Sequence, residues 1–178
     1  MTNWGEWFHY QLKASGDGFI WAFQQIDPSL HHLLPPAPHY MGLWSPARLV
    51  WHVTEYERCL ALPSMQQWLS GSMPTEDAWP DSDATWLTVQ ECTSDELTST
   101  FYAVHQEQMQ LLDQFAAAHW TIPCQTLWGL KPLAWVVTKT YQHRLEHGDT
   151  LLRMSLRWRD AEEDIAKKAQ QEKADEKE

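Results

Sequence analysis

The sequence has no long hydrophobic run. Nowhere in its 178 residues do about 18 apolar residues follow one another, the length that a membrane-spanning helix needs. Residues 1–18 also lack the positively charged segment and apolar stretch of a signal peptide. We therefore expect no membrane partner and a cytoplasmic location.

Cysteine is scarce, and its spacing is uninformative for metal or disulfide chemistry. The three cysteines are Cys59, Cys92 and Cys124, an odd number with no CxxC pair. A disulfide framework needs pairs of cysteines and an oxidising compartment. We interpret the three as free thiols in a reducing compartment.

Basic residues are missing from a long part of the chain. Between Arg58 and Lys131 there is no Lys or Arg, and the formal net charge of the whole chain is −11. An acidic surface repels the phosphate backbone of DNA and RNA. We expect no nucleic-acid partner.

What the chain does contain is apolar residues at helical spacing. Its length and its 43% hydrophobic content suffice for one domain with its own core. The spacing predicts four helices, the second with a break or kink at Pro63. They cover about residues 4–26, 46–71, 95–119 and 132–158.

Capping signals and polar segments set the helix limits. Ser45 is a good N-cap with Pro46 behind it, and Thr93 with Glu96 forms a capping box. The acidic residues 72–93 predict a surface loop, and residues 159–178 a charged tail that is frayed or disordered.

No repeat and no strand pattern is visible along the chain. Four helices without strands predict an all-α fold, an antiparallel four-helix bundle. We assign this bundle to residues 1–158 as a single domain.

Two histidines have the spacing of a helical metal site. His143 and His147 are four residues apart, so on a helix they lie about 40° apart around the axis and about 6 Å along it. Such a pair can reach one ion. Taken alone, the pattern is weak evidence.

A third histidine lies in an apolar stripe. His52 follows Leu49 and precedes Tyr56 and Cys59 at steps of three and four residues, which places it on a buried helix face. A buried imidazole needs hydrogen-bond partners or a metal to offset its desolvation. The alternative is an ordinary core histidine bonded to a carbonyl or carboxylate.

Two segments resemble the signatures of the DinB/YfiT-like superfamily. WSPARLVWHVTEYE resembles its second-helix motif, a Trp-Ser followed by an apolar run that ends in His. YQHRLEHGDTLL is similar to its fourth-helix His-x-x-x-His motif. The resemblance covers about residues 1–158, and the two motifs occur in the family's order and at family-like separations.

The resemblance implies a four-helix bundle, often a homodimer, that holds one divalent metal ion. Carried over to this sequence, the ligands are His52, His143 and His147. Family members with known activities include transferases and isomerases that use low-molecular-weight thiols. The chain departs from the family at Gly148, where a further polar residue is common.

Three histidine ligands leave coordination positions open, as in catalytic sites. Imidazole suits zinc, nickel, iron and copper, and manganese is a further possibility, so the ion's identity stays open. An open ion activates a thiol or a water. A metal-dependent thiol-assisted transferase or hydrolase acting on a small molecule is therefore one prediction. A non-catalytic metal-binding or small-molecule-binding bundle is the alternative, and a metal-free bundle is a weaker third.

No catalytic residue is assigned by the sequence, but several residues are candidates for a supporting role. His105 is a possible fourth ligand or acid/base, and Cys59 a soft ligand, with a small buried hydrophobe as its commoner role. Carboxylates or hydroxyls that orient the imidazoles are expected among Glu55, Tyr56, Tyr141 and Glu146, although exposed carboxylates are an equal reading. Anion attraction is assigned to Lys139 and Arg144, with surface placement the stronger expectation.

The remaining candidates are aromatic residues and other histidines. Four tryptophans are expected either to wall an apolar cleft or to pack in the core: Trp44, Trp51, Trp128 and Trp135. Five histidines without a partner at ligand spacing are expected on the surface or in loops: His9, His31, His32, His39 and His119.

Overall fold

The computed structural model describes residues 3–36, 44–71 and 82–175, with side chains as far as residue 168. Most of these residues are helical. The helices are α1 (Trp4–Gln24), α2 (Pro46–Tyr56), α3 (Leu62–Ser70), α4 (Asp83–Val89), α5 (Ser94–Leu112) and α6 (Leu133–Asp175). Short 3₁₀ turns occupy Pro28–Leu30 and Ala117–Trp120.

The predicted capping signals are confirmed. The Ser45 hydroxyl accepts the backbone N–H of Arg48 at 3.2 Å, which begins α2. At the start of α5, the Thr93 hydroxyl accepts the Glu96 N–H at 3.3 Å. The Glu96 carboxylate in turn accepts the Thr93 N–H at 2.7 Å, which completes the capping box.

The predicted break at Pro63 takes the form of a π turn. Residues Glu57–Ala61 make π-type hydrogen bonds between α2 and α3. Pro63 has no N–H, so it cannot donate to the carbonyl one α-turn before it. α3 then ends at Gly71, whose φ of +72° is the left-handed conformation that favours glycine at a helix end.

The expectation of no strands is wrong for one short segment. β1 (Pro123–Thr126) and β2 (Gly129–Pro132) form an antiparallel pair. Gly129 has a φ of +84°, and the Thr126 hydroxyl closes the turn by donating to the Gly129 carbonyl at 2.8 Å. Strands of four residues that contain prolines show too little alternation to be recognised from the sequence.

Two further expectations need correction. The predicted loop 72–93 contains α4, although residues 72–81 lie outside the described part of the chain. The third helix ends at Leu112 rather than near residue 119, because the N–H groups of Gln114 and Phe115 bond to carbonyls three residues back and tighten the turn.

Two apolar cores flank a polar middle layer. What we call the first core contains the apolar side chains around Phe19, Leu49, Phe101 and Leu151. The second core contains those around Leu12, Leu60, Leu111 and Val137. Between them, the four helices contribute buried polar side chains instead: Ser15 from α1, His52 from α2, His105 and Gln108 from α5, and His143, Arg144 and His147 from α6.

The order of the two cores along each helix gives its direction. On α1 and α6 the second core comes before the first, whereas on α2 and α5 the first core comes before the second. The helices therefore pass through the polar layer in two opposed pairs. α1 packs against α5 and α6, and α2 also packs against both.

The last helix extends beyond the predicted domain boundary. α6 continues past Trp158 to Asp175, and nearly all side chains of residues 159–168 are exposed. That the segment is a frayed tail stays a prediction. Among the described helices, none combines the length and apolar character needed to cross a membrane.

Candidate metal centre

Three histidine side chains from two helices converge in the polar layer. The Nε2 atoms of His52 on α2 and His143 on α6 lie 3.2 Å apart. The Nε2 atoms of His143 and His147 lie 3.0 Å apart. Among the described residues, these three form the group whose donor atoms all lie within 4.8 Å of one another.

The three imidazoles are buried, and the pKa values of two of them are lowered. The three residues are between 6% and 9% exposed. Burial, followed by the neighbouring imidazoles, lowers the pKa of His143 to about 2. Burial and His52 lower the pKa of His147 to about 4. A neutral imidazole keeps a nitrogen lone pair, which is the form that binds a metal ion.

Hydrogen bonding alone does not satisfy this arrangement. A neutral imidazole has one N–H donor and one acceptor nitrogen. The Nε2 atom of His143 has two close neighbours but carries either one N–H or one lone pair, so one well-directed hydrogen bond satisfies one contact and leaves the other without one. A cation at the meeting point would instead face a lone pair from each of the three rings.

The separations also fit a metal. Two nitrogens at about 2.0–2.1 Å from one ion are about 2.9 Å apart at a right angle and about 3.4 Å apart at a tetrahedral angle. The observed 3.0 and 3.2 Å lie between these limits. The residues present therefore fit a divalent ion, with positions left for a further ligand.

The expected carboxylate support for the imidazoles is not seen at two of the three rings. The Nδ1 atoms of His143 and His147 are buried without a hydrogen-bond partner among the described residues. Glu146 is exposed. Glu55 is buried, contrary to the reading of it as a surface carboxylate, but its oxygens bond to Arg58 and to the Cys59 thiol.

Aromatic rings line the cluster on two sides. The Trp44 ring lies 4.9 Å from the His52 ring, and the Tyr56 ring lies 4.2 Å from the His143 ring. Trp128 contacts Tyr56 at 6.5 Å and Trp135 lies 5.5 Å from Trp128, all measured between ring centroids. Trp44 and the buried Tyr56 thus contact the histidines, and the partly buried Trp128 and Trp135 continue this apolar wall beyond Tyr56.

Trp51 does not belong to that wall. It is 5% exposed and packs in the first core, 5.6 Å from the ring of Trp86 on α4. Core packing, the alternative for the four tryptophans, holds fully for this one, and the other three also pack against a core from partly buried positions: Trp44 against the first, and Trp128 and Trp135 against the second. The reason is the position of Trp51 on α2, adjacent to His52 in sequence and therefore turned about 100° away from it.

The structure places the two further ligand candidates outside the cluster. His105 bonds through Nδ1 to the guanidinium of Arg144 at 3.2 Å. Burial, and then the positive charge of Arg144, lowers the pKa of His105 to about 4. The Cys59 thiol donates to Glu55 at 3.7 Å. Both side chains have partners of their own.

Arg144 overturns the expectation of surface placement. It is 0% exposed and forms a two-pronged ion pair with Glu57, which is also 0% exposed. The sequence carries one signal of this placement: Arg144 lies one residue after His143 and three before His147, so on the helix it is about 100° from the first and about 60° from the second. Lys139, the other predicted anion-attracting residue, is partly buried.

Of the five histidines expected on the surface or in loops, one is buried, three are exposed or partly exposed, and one lies outside the described residues. His31 is 4% exposed and bonds to the Ser94 hydroxyl at 2.7 Å and the Ile26 carbonyl at 3.0 Å. It ties the segment after α1 to the start of α5. His32 is exposed, and His9 and His119 are partly buried. His39 lies outside the described residues.

Two solved structures share this fold. They are the mycothiol-dependent maleylpyruvate isomerase, with a TM-score of 0.67, and a histidine-to-alanine mutant of that enzyme, with a TM-score of 0.66. Each is 12% identical to this chain, and the alignment covers 85% of this chain but 63% of the isomerase. No protein-family model and no curated protein matches the sequence.

At this level of identity the likeness concerns the fold. It confirms the DinB/YfiT-like fold that the second-helix and fourth-helix motifs predicted, within a mostly helical chain that also carries a small two-stranded sheet. The chain spans less than two thirds of the isomerase's length.

Proposed function

We propose that this protein binds one divalent metal ion through His52, His143 and His147 and uses it in a thiol-assisted reaction of a small molecule. The observation that carries this proposal is the meeting of the three Nε2 atoms, with separations of 3.0 and 3.2 Å at the bridging histidine. The fold of a mycothiol-dependent isomerase supports the thiol.

The chain's own residues define what the site offers a substrate. Three neutral ligands leave the full positive charge of a bound ion in place, and such an ion lowers the pKa of a bound thiol or water. The wall of Trp44, Tyr56 and Trp128 supplies an apolar surface beside it. A low-molecular-weight thiol with a small electrophilic partner, transferred or isomerised, fits these features. Hydrolysis by a bound water is the competing reaction type.

Metal analysis of the purified protein tests the binding half of the proposal. We expect close to one equivalent of a divalent ion in the wild type and almost none in the double variant His52→Ala/His143→Ala. The double variant His9→Ala/His119→Ala is a matched control, since both residues lie outside the cluster and are partly exposed. Equal, low metal content in all three proteins would refute metal binding.

A turnover assay tests the catalytic half. The metal-loaded protein is incubated with mycothiol, glutathione or cysteine and a panel of electrophiles that includes maleylpyruvate. We expect turnover that needs both thiol and metal and is lost in His52→Ala/His143→Ala. Stoichiometric metal with no turnover under any ion would instead assign the bundle a non-catalytic binding role.

The quaternary and cellular setting follow from the resemblance and belong to the same proposal. We expect a cytoplasmic homodimer of a single domain over residues 1–158. Within each protomer, α1 and α6 run antiparallel to α2 and α5 in a four-helix bundle, as the order of the two cores supports. Light scattering on the purified protein measures the oligomeric state.

A further inference from the structure

A second polar cluster lies in the same layer as the histidines. We infer that the buried Arg144–Glu57 ion pair is a positioning device, which holds α6 in register against the α2 segment so that the three histidine Nε2 atoms meet. The inference rests on the proposed metal function. It adds two residues that do not touch the metal but determine how well the ligands are arranged.

The ion pair joins all four long helical segments. Arg144 Nε donates to Glu57 Oε1 at 2.5 Å, and Nη2 donates to Glu57 Oε2 at 2.7 Å. Nη2 also donates to Gln108 Oε1 at 2.5 Å, and Nη1 donates to the Leu12 carbonyl at 2.7 Å. The guanidinium of α6 thus contacts α1, the π turn after α2, and α5.

The same two chain segments carry the ligands and the ion pair. Arg144 directly follows His143 on α6, and Glu57 lies five residues after His52. A slip of α6 by one helical turn moves its side chains by about 5.4 Å. Such a slip would separate His143 from His52 and break both prongs of the ion pair. The same register of α6 therefore brings the histidines together and forms the ion pair.

Stability alone is a poor explanation for this pair. Both side chains are 0% exposed, and withdrawing two charges from water costs about as much as their attraction returns. Apolar residues of similar volume are often neutral or better for stability at such a place. Apolar contacts are also undirected, whereas a guanidinium fork fixes one geometry.

Gly16 on α1 leaves room for the Arg144 guanidinium because it has no side chain. A Cβ atom at Gly16 on α1 would lie 3.1 Å from Arg144 Nη1 and 3.2 Å from His105. Glycine in a helix interior is unfavourable, so its presence at this contact agrees with a requirement for close approach.

The test separates positioning from stability. The double variant Glu57→Leu/Arg144→Met replaces the ion pair with apolar side chains, and Met154→Ala removes a buried side chain of α6 in the first core. For each protein, cobalt(II) affinity and the visible spectrum of the cobalt complex are measured, together with urea unfolding of the metal-free form. Arg144→Lys keeps the charge without the fork.

We expect the double variant to stay folded but to bind cobalt at least tenfold more weakly, with an altered spectrum. In Arg144→Lys, we expect the cobalt affinity and the spectrum to change in the same direction as in the double variant. Met154→Ala loses stability but keeps the wild-type affinity and spectrum. If the double variant does not fold, the near-isosteric Glu57→Gln is measured by the same criteria, with at least threefold weaker binding expected.

Two outcomes overturn the inference. One is wild-type cobalt affinity and spectrum in the folded ion-pair variants. The other is a loss of affinity in Met154→Ala as large as in the double variant, which would make the effect one of stability. Failure of the proposed metal function has a different signature, because the wild-type protein itself would then bind no cobalt.

Discussion

The Nε2 atoms of His52 and His143 lie 3.2 Å apart although 91 residues separate them in the chain. The two side chains belong to helices that run through the polar layer in opposite directions. This short contact lies between the two apolar cores, in the same layer as the buried Arg144–Glu57 ion pair. Its consequences can be measured.

Removing the metal should lower the stability of the protein. A ligand that binds the folded state alone and is present at 1,000 times its dissociation constant stabilises by about 4 kcal/mol. We expect a chelator to lower the Tm of the wild type by several degrees, with recovery when zinc is added back. The variant His147→Ala should show a low Tm that neither treatment changes. A wild-type Tm insensitive to both would contradict a bound ion.

Variants of His105 and Cys59 test whether the metal site is limited to the three histidines. His105 and Cys59 bond to Arg144 and Glu55 rather than reach the cluster. We therefore expect His105→Asn and Cys59→Ala to keep wild-type metal stoichiometry, measured by elemental analysis. Loss of the ion from either variant would show that the site extends beyond the three histidines.

Acid should destabilise the metal-free protein in part through His105. Its folded-state pKa of about 4 lies below the ordinary value of 6.5, so the unfolded chain takes up a proton that the folded chain refuses between these values. The contribution is complete above pH 6.5 and is lost as the pH falls towards 4, by at most about 1.4 kcal/mol per pH unit.

The variant His105→Asn isolates this contribution. Asparagine can still accept from Arg144 through its side-chain oxygen but does not titrate. Urea unfolding with a chelator at pH 7, 6 and 5 should give a shallower decline for the variant than for the wild type. Identical slopes would mean that His105 is not held neutral by its surroundings.

Two glycines of α1 should respond oppositely to alanine. Gly16→Ala would put a Cβ 3.1 Å from the Arg144 guanidinium, and we expect a loss of about 1–3 kcal/mol from this overpacking. Gly18→Ala meets nothing within 4 Å and should gain about 0.5–1 kcal/mol from helix propensity. Urea unfolding measures both, and a gain at Gly16 as well would contradict the close approach.

The sequence by itself determined the local features of this protein. Apolar spacing located the four long helices, and the Ser45 cap, the Thr93–Glu96 capping box and the break at Pro63 follow from hydrogen bonds within a few residues. The two histidine motifs led to the DinB/YfiT-like fold and to the three residues that the structure brings together. Each cap and each histidine motif consists of side chains one or two helical turns apart, so it can be recognised within a short stretch of sequence.

Only the tertiary structure decided which polar residues are buried. Arg144, Glu57 and His31 are charged or polar types that are usually exposed, yet partners on other helices bury them. The short strands and the early end of α5 likewise depend on the surrounding packing. Burial of a polar group depends on a partner that is distant in sequence. Helical periodicity shows which side chains share a face of one helix, but it does not identify that partner.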